Sequence, residues 1–328
     1  MKKIIAAVSV VLLLLCAGIF LSRDGKSHQS SKASEVKGIK IVATLFPQYD
    51  FARNIAGSRA EVELLLPPGA ESHTYEPSPA DIMKIEKADI FLYTGKYMEP
   101  WAERIISSSE NGNLKAADLS RNIKLSDGED AHSHDENHEH EDEHESEHSH
   151  HLHSLDPHIW TDPNNAAIMA DNIVLALCEA DPSNADEYRK NGESYKEELA
   201  SLDSEFKEAV KSAARHEVVL GGRNAFHYFM TRYGLTAYAA HDSCAADSDP
   251  SAKKVAFLID EIRAKKIPVI YFEELTAPKV ARLISAETGA KMLPLRSCHN
   301  ISKEDFNKNV TYLSMMRENL ANLKEGLK

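Results

Sequence analysis

Strand-like and helix-like segments alternate twice along this chain, before and after one long amphipathic stretch. In the first half, β-rich runs such as IKIVATLF (39–46) and ADIFLYTG (88–95) are separated by segments with helix start and stop residues. The second half repeats the alternation, with strand-like runs such as EVVLGG (217–222) and IPVIYFEE (267–274). Because parallel strands need helical crossovers, this order predicts an α/β fold with two lobes, each a parallel-type sheet covered by helices.

The stretch between the two halves predicts one long helix over residues 182–215. After its first residues it contains no proline and only one glycine. Its apolar residues recur mostly three, four and seven positions apart, which places them on one face of a helix: Tyr188, Tyr195, Leu199, Leu202, Phe206 and Val210. A single rigid helix between two lobes permits less opening than a hinge of several strands.

The predicted domain organisation therefore has four parts. Residues 1–37 form an export signal, with a possible lipid anchor and a linker. Residues 38–181 form the N-terminal lobe, which includes a His- and acid-rich loop at 127–153. The connecting helix occupies 182–215, and residues 216–328 form the C-terminal lobe.

The first twenty residues are typical of an export signal. Lys2 and Lys3 precede an apolar run from Ile4 to Cys16 that is barely long enough to span a bilayer. Cys16 suggests lipid attachment, as in bacterial lipoproteins, although Leu15 is bulkier than the residue that usually precedes the cleavage site. The alternatives are an uncleaved anchor or cleavage further on. We expect the protein at the outer face of the cytoplasmic membrane or in the periplasm.

Negative charge is concentrated in one segment. The net charge is -13, so the chain lacks the excess of cations that a nucleic-acid binder needs. Between Asp127 and His153 stand eleven acidic residues, nine histidines and no lysine or arginine. This composition predicts a loop that is disordered without metal and offers several weak zinc sites. HEDEH and HESEH within it match the zinc-protease motif H-E-x-x-H, but that motif needs a buried helix, and chance matches are expected here.

Two histidines lie in proline-containing loops where α/β sheets bind ligands. His73, in PPGAESHTYEPSP, follows a predicted strand, and His158, in DPHIWTDP, precedes a predicted helix. Either histidine alone could be an ordinary hydrogen-bonding residue of a loop. Their similar settings and the His-rich segment nearby favour a metal site, and imidazole suits zinc, copper or nickel better than magnesium or calcium.

Several longer motifs, in order, resemble the zinc- and manganese-specific substrate-binding proteins of bacterial ABC importers. They include TLFPQYDFARNIAG, LLPPGAESHTYEPSP, DPHIWTDP and AFHYFMTRYGL, and the likeness runs from Ile39 to the C-terminus. The resemblance implies an extracytoplasmic receptor, not an enzyme, that is monomeric, captures one metal ion between its lobes and delivers it to a membrane permease. His73 and His158 match the two ligands that the N-terminal lobe of that family provides.

The ligands from the C-terminal lobe remain open. Arg223 and Arg296 occupy the positions of the family's usual third and fourth ligands, and a guanidinium has no lone pair to donate. His299 is the leading candidate because its loop follows a predicted strand. His227 is expected to pack within a helix instead, and His241 is a weaker alternative.

Three cysteines follow the leader. Cys244 and Cys298 both lie in the last third of the chain, and we expect them to form a disulfide in the exported protein, leaving Cys178 unlinked. The rival interpretation is that one or both bind metal. A disulfide in the C-terminal lobe of some members of the resembled family supports the bridge.

Zinc is the expected ion and manganese its alternative, because Mn²⁺ sites favour carboxylates beside histidine. We expect affinity to fall as the pH drops through the ordinary histidine range near 6.5. A secreted zinc hydrolase is the alternative from another class, with Glu273 or Glu274 as a general base. A surface adhesin, a role often attributed to relatives, is a third class.

Overall fold

The first sheet has four parallel strands in the order β2-β1-β3-β4. Their bounds are β1 Ile39–Ala43, β2 Ala60–Leu64, β3 Ile90–Tyr93 and β4 Lys115–Asp118. The associated helices are α1 Phe46–Ala56, α2 Pro79–Glu86, α3 Ala102–Ser108 and α4 Pro163–Ala180. The sequence did not predict β4, because this edge strand is only four residues long and reads KAAD, without an apolar run.

A single 27-residue helix, α5 (Ala185–Lys211), follows α4. At 1.5 Å per residue it is about 40 Å long. All six apolar residues predicted for its inner face are buried: Tyr188, Tyr195, Leu199, Leu202, Phe206 and Val210. The helix lies within the predicted range 182–215.

The second sheet repeats the topology of the first, with the order β6-β5-β7-β8 and parallel pairing throughout. Its strands are β5 Glu217–Arg223, β6 Thr236–His241, β7 Val269–Phe272 and β8 Lys291–Pro294. The remaining helices are α6 His227–Tyr233, α7 Ala252–Lys265, α8 Lys279–Thr288, α9 Lys303–Asn307 and α10 Tyr312–Gly326. The predicted fold class, two parallel-sheet α/β lobes joined by a long helix, is therefore confirmed.

One hydrophobic core extends through both lobes. The C-terminal helix α10 returns to pack against α5 and α1. Phe51 of α1 meets Tyr312 of α10 edge to face at 4.9 Å and lies 5.5 Å from Tyr195 of α5. The buried carboxylate of Asp50 accepts a hydrogen bond from the Tyr312 backbone N–H at 2.9 Å. Opening the lobes would separate these buried contacts, which supports the expectation of limited opening.

This computed structural model describes residues 38–127, 155–241, 249–275 and 277–328. Cys16, Cys244 and the His-rich segment 128–154 lie outside these ranges, so the lipid anchor, the disulfide and the loop stay predictions. Cys298 is buried with its Sγ 3.6 Å from the Arg296 carbonyl oxygen, Cys178 is half-buried, and neither is bonded to another cysteine among the described residues. Within the described ranges, no helix combines the length and apolar character needed to cross a membrane.

Candidate metal centre

Three histidine side chains meet between the lobes: His73, His158 and His299. A ring nitrogen from each lies within 4.8 Å of the others, and the Nε2 atoms of His73 and His158 are 3.3 Å apart. Two nitrogens bound tetrahedrally to zinc at about 2.0–2.1 Å would be separated by about 3.3–3.4 Å. In the part of the chain that the structure describes, this is the one group of three or more potential ligands so close together.

His73 lies in the loop between β2 and α2, and a carboxylate shapes that loop. Glu71 Oε1 accepts the backbone N–H groups of Ser72 at 3.1 Å and His73 at 3.2 Å. Its Oε2 atom accepts a hydrogen bond of 2.9 Å from Arg223 Nη2, at the end of β5. Arg223 therefore links the second lobe to the loop that carries His73, instead of supplying a ligand itself.

His158 lies in the loop that leads into α4, and Asp156 fixes its orientation. Asp156 Oδ1 accepts the His158 backbone N–H at 2.9 Å and lies 2.6 Å from His158 Nδ1. Burial alone would raise the pKa of Asp156, but its hydrogen bonds and charge interaction with His158 hold that pKa below its usual value. An ionised partner at Nδ1 places the proton there and leaves Nε2 with its lone pair, which is the arrangement that metal-binding histidines use.

His299 lies in the loop after β8, and its Nδ1 atom is 2.6 Å from Ser297 Oγ. Glu274 holds this loop, because it accepts hydrogen bonds from the backbone N–H groups of Ser297 at 2.8 Å and Cys298 at 2.7 Å. The His299 carbonyl oxygen accepts the Phe46 backbone N–H of the first lobe at 3.3 Å. With Nδ1 occupied by Ser297, Nε2 is the atom of His299 available to a metal.

Trp160 packs behind the cluster and is completely buried. Its ring centroid lies 5.4 Å from that of His158 and 5.9 Å from that of His299. Its indole N–H donates to the Ser297 carbonyl oxygen at 2.8 Å, and its own carbonyl accepts from the Tyr312 hydroxyl at 2.6 Å. One side chain thus joins the two loops that carry His158 and His299.

The other positions considered as ligands from the sequence lie outside the three-histidine group. His227 begins α6 and its Nε2 atom is 2.9 Å from Ser126 Oγ, so it packs at a helix as predicted. His241 ends β6 outside the three-histidine group. Arg296 forms salt bridges with Glu318 at 2.8 Å and Asp305 at 3.0 Å, so its role is structural.

The environment favours neutral imidazoles. Burial, and next the positive charge of His158, lowers the pKa of His73 to about 4. Burial, together with the charges of His158 and His73, also holds the pKa of His299 well below its ordinary value of 6.5. The expectation that protons begin to compete near pH 6.5 is therefore wrong for these two histidines, because burial could not be inferred from the sequence.

Zinc affinity is expected to fall less in mild acid than it would at a site of three ordinary histidines. Three imidazoles with ordinary pKa values near 6.5 would lose about a thousandfold in affinity between pH 7.5 and 5.5, since ligation needs the deprotonated nitrogen. With the pKa of His73 lowered to about 4 and that of His299 also lowered, protons do not displace zinc from these two over that range. The expected loss is therefore much smaller than a thousandfold. Chelator competition at several pH values measures it, and a thousandfold loss by pH 5.5 would contradict the prediction.

Comparison with known proteins identifies a family that matches most of the chain. The family model described as "Zinc-uptake complex component A periplasmic" (ZnuA) matches residues 41–326. The chain is 35% identical over 318 residues to the high-affinity zinc uptake system protein ZnuA of Bacillus subtilis, covering 96% of this chain and 97% of that protein.

The zinc-binding lipoprotein AdcA of Streptococcus pneumoniae is a longer relative. It is 32% identical over an alignment of 329 positions, which covers 99% of this chain but 61% of AdcA. The crystal structure of its Zn(II)-bound ZnuA-like domain matches with a TM-score of 0.72 at 30% identity, covering 88% of this chain and 99% of that one.

Proposed function

We propose, from the premise that the chain belongs to the ZnuA family of periplasmic zinc-uptake components, that it is an extracytoplasmic receptor that captures Zn²⁺ and delivers it to an ABC permease. The observation that carries this proposal is the group of three imidazoles from His73, His158 and His299. These side chains are its proposed ligands. The zinc ion is cargo, and the protein binds and releases it without changing it.

Capture follows from the chemistry of the three side chains. Imidazole nitrogens replace water around the ion, and the low pKa values of His73 and His299 keep their lone pairs available at neutral pH. Asp156 and Ser297 orient the rings before the ion arrives, which lowers the entropic cost of binding. Docking to the permease would then have to separate the loops that meet at the site for the ion to leave.

Zinc suits this site better than manganese. The group contains three nitrogen donors, whereas Mn²⁺ sites favour oxygen ligands. Manganese remains the alternative within the same fold. Equal affinity for the two ions in a direct competition would overturn the preference.

Binding is also favoured over hydrolysis. Glu274, one of the two carboxylates considered as a general base, uses both oxygens to hold Ser297, and Oε1 also accepts the Cys298 N–H. A secreted zinc hydrolase stays the alternative, and zinc-dependent hydrolysis of a substrate panel, lost in His158→Ala, would favour it. The adhesin class stays a prediction, since the imidazole cluster bears only on metal binding.

We further propose an exported protein anchored by a lipid at Cys16, as the name of the AdcA relative indicates for that protein. Mass spectrometry of the membrane fraction would detect a diacylated N-terminal cysteine. An N-terminus at another residue would overturn the anchor but not the zinc site.

The test of the receptor function is zinc uptake by cells. A strain that lacks this chain is expected to lose growth in chelated medium, and the intact chain is expected to restore it. His73→Ala should fail to restore growth although the protein is exported in equal amount. Restoration by that variant would contradict the proposed site.

The His-rich loop at 127–153 is proposed to collect zinc at several weak sites. Each site must fix part of the chain in one conformation on binding, which costs about 1–2 kcal/mol per residue fixed. Deleting the loop is expected to lower the zinc stoichiometry to about one while the tight site keeps its affinity, because packed loops hold His73, His158 and His299 independently. Calorimetric titration of both proteins decides. Equal stoichiometry would reject the collecting role, and loss of the tight site would mean that the loop supplies a primary ligand.

A further inference from the structure

A cavity of about 110 Å³ opens beside His299, one of the three imidazoles. Its lining includes His299, Arg223 and three carboxylates, those of Glu71, Glu273 and Glu274. Three imidazoles leave a tetrahedral zinc ion one ligand short, because zinc is almost always four-coordinate. The carboxylates of this cavity are candidates for the missing ligand.

Two of these carboxylates already accept hydrogen bonds at both of their oxygens. Glu71 bonds to Arg223 through Oε2 and to the Ser72 and His73 backbone through Oε1. Glu274 bonds to the loop that carries His299 through both of its oxygens. Moving either carboxylate onto a metal would break the contacts that position a histidine.

Glu273 differs from both. It follows β7 directly, is only 8% exposed, and its Oε1 atom is buried without a hydrogen-bond partner among the described residues. A buried polar oxygen without a partner costs free energy, so native proteins keep few of them without a functional reason. The charges of Glu274, Arg223 and His158 all act on this carboxyl group, which places it within electrostatic reach of the cluster.

We propose that Glu273 is the fourth ligand of the cargo zinc ion, in the place that Arg223 cannot fill. Its oxygens lie outside the 4.8 Å group that the imidazoles form, so the side chain must turn into the cavity to reach the ion. A glutamate has three side-chain torsions, and the cavity provides the space for this rotation. The inference rests on the proposed three-histidine site and adds one residue to it.

The electrostatics agree with this role. Burial, and next the negative charge of Glu274, raises the pKa of Glu273 to about 7. Near neutral pH the side chain therefore stays partly protonated, which lowers the cost of burying it without a partner. A zinc ion would stabilise the carboxylate form and supply the interaction that Oε1 lacks.

The test compares zinc affinities of the full-length chain and its Glu273→Gln variant. Chelator competition is run at a chelator strength that empties the weak sites of the His-rich segment. Losing an outer partner of a metal site typically costs ten- to a hundredfold in affinity, so losing a ligand is expected to cost about a hundredfold or more. With Co²⁺ as the probe, the strong visible absorption of four-coordinate cobalt should also weaken as water replaces the carboxylate.

Glu99→Gln is the matched control. Glu99 is another buried carboxyl whose pKa burial raises to about 7, but it bonds to Thr44, Thr94 and Gly95 and lies outside this cavity. That variant should keep the parent zinc affinity and cobalt spectrum. Unfolding curves of both metal-free variants show whether each is folded.

The His73→Ala variant distinguishes an error in the Glu273 ligand from an error in the three-histidine site. Weak binding in His73→Ala and Glu273→Gln, with normal binding in Glu99→Gln, supports Glu273 as a ligand. Parent affinity and an unchanged cobalt spectrum in Glu273→Gln, with weak binding in His73→Ala, would overturn the ligand and leave the receptor function standing. Parent affinity in both would overturn the three-histidine site itself.

Discussion

Replacing His158 by alanine is expected to lower the affinity of the tight zinc site by about two to three orders of magnitude. Structural zinc sites bind with roughly 10–16 kcal/mol, which is about 2.5–4 kcal/mol for each of four ligands. Each 1.4 kcal/mol corresponds to a tenfold change in affinity. His158 contacts both other members of the cluster, since its Nε2 atom lies 3.3 Å from that of His73 and its ring centroid lies 5.1 Å from that of His299.

Competition against a chelator that outcompetes the weak sites measures this effect on the full-length chain. His227→Ala is the matched control, because this buried histidine contacts Ser126 and lies outside the three-histidine group. His73→Ala and His299→Ala should behave like His158→Ala. Parent affinity in His158→Ala and His73→Ala would refute the assignment of the site.

The sequence predicted the positions of the three histidines because each lies at a recognisable boundary. His73 follows one strand and His299 follows another, so the carboxyl-edge rule for α/β sheets applies to their loops, whereas His158 precedes a helix. These are local properties of the chain combined with a general rule of topology.

The supporting residues could not be predicted in the same way. The side chain of Arg223 contacts Glu71, 152 positions away, and Trp160 contacts Ser297, 137 positions away. The sequence shows that an arginine cannot bind zinc, but not that it holds the loop of a ligand. Asp156 and Glu71 did leave a local signal, because an acidic residue two positions before a histidine can accept its backbone N–H.

The pKa values of the ligand histidines also could not be predicted from the sequence. Free imidazole titrates near 6.5, and the departure of His73 to about 4 comes first from burial and next from the charge of His158. Both depend on how the loops pack together. Burial likewise raises the pKa of Glu273. In the sequence, Glu273 is simply one of two adjacent glutamates after a predicted strand.

Replacing Trp160 by alanine is expected to lower the free energy of unfolding of the zinc-free protein by about 3–5 kcal/mol, the usual cost of removing a large buried aromatic side chain. The indole fills space behind the rings of His158 and His299 and donates to Ser297, so the variant loses packing and also leaves a buried carbonyl without its donor. Zinc affinity should fall as well, because two ligand loops lose their common support. Urea unfolding without zinc measures the stability.

Met83→Ala provides the comparison, because Met83 is 56% exposed and its truncation should change stability by about 0.5 kcal/mol or less. Trp160→Phe keeps much of the ring volume but removes the N–H donor, so its expected loss lies between those of the other two variants. If Trp160→Ala unfolded at the parent urea concentration, packing behind the imidazoles would not stabilise the fold. A stable Trp160→Ala protein with parent zinc affinity would show that the hydrogen bonds of Asp156, Ser297 and Glu274 orient the ligands without the indole.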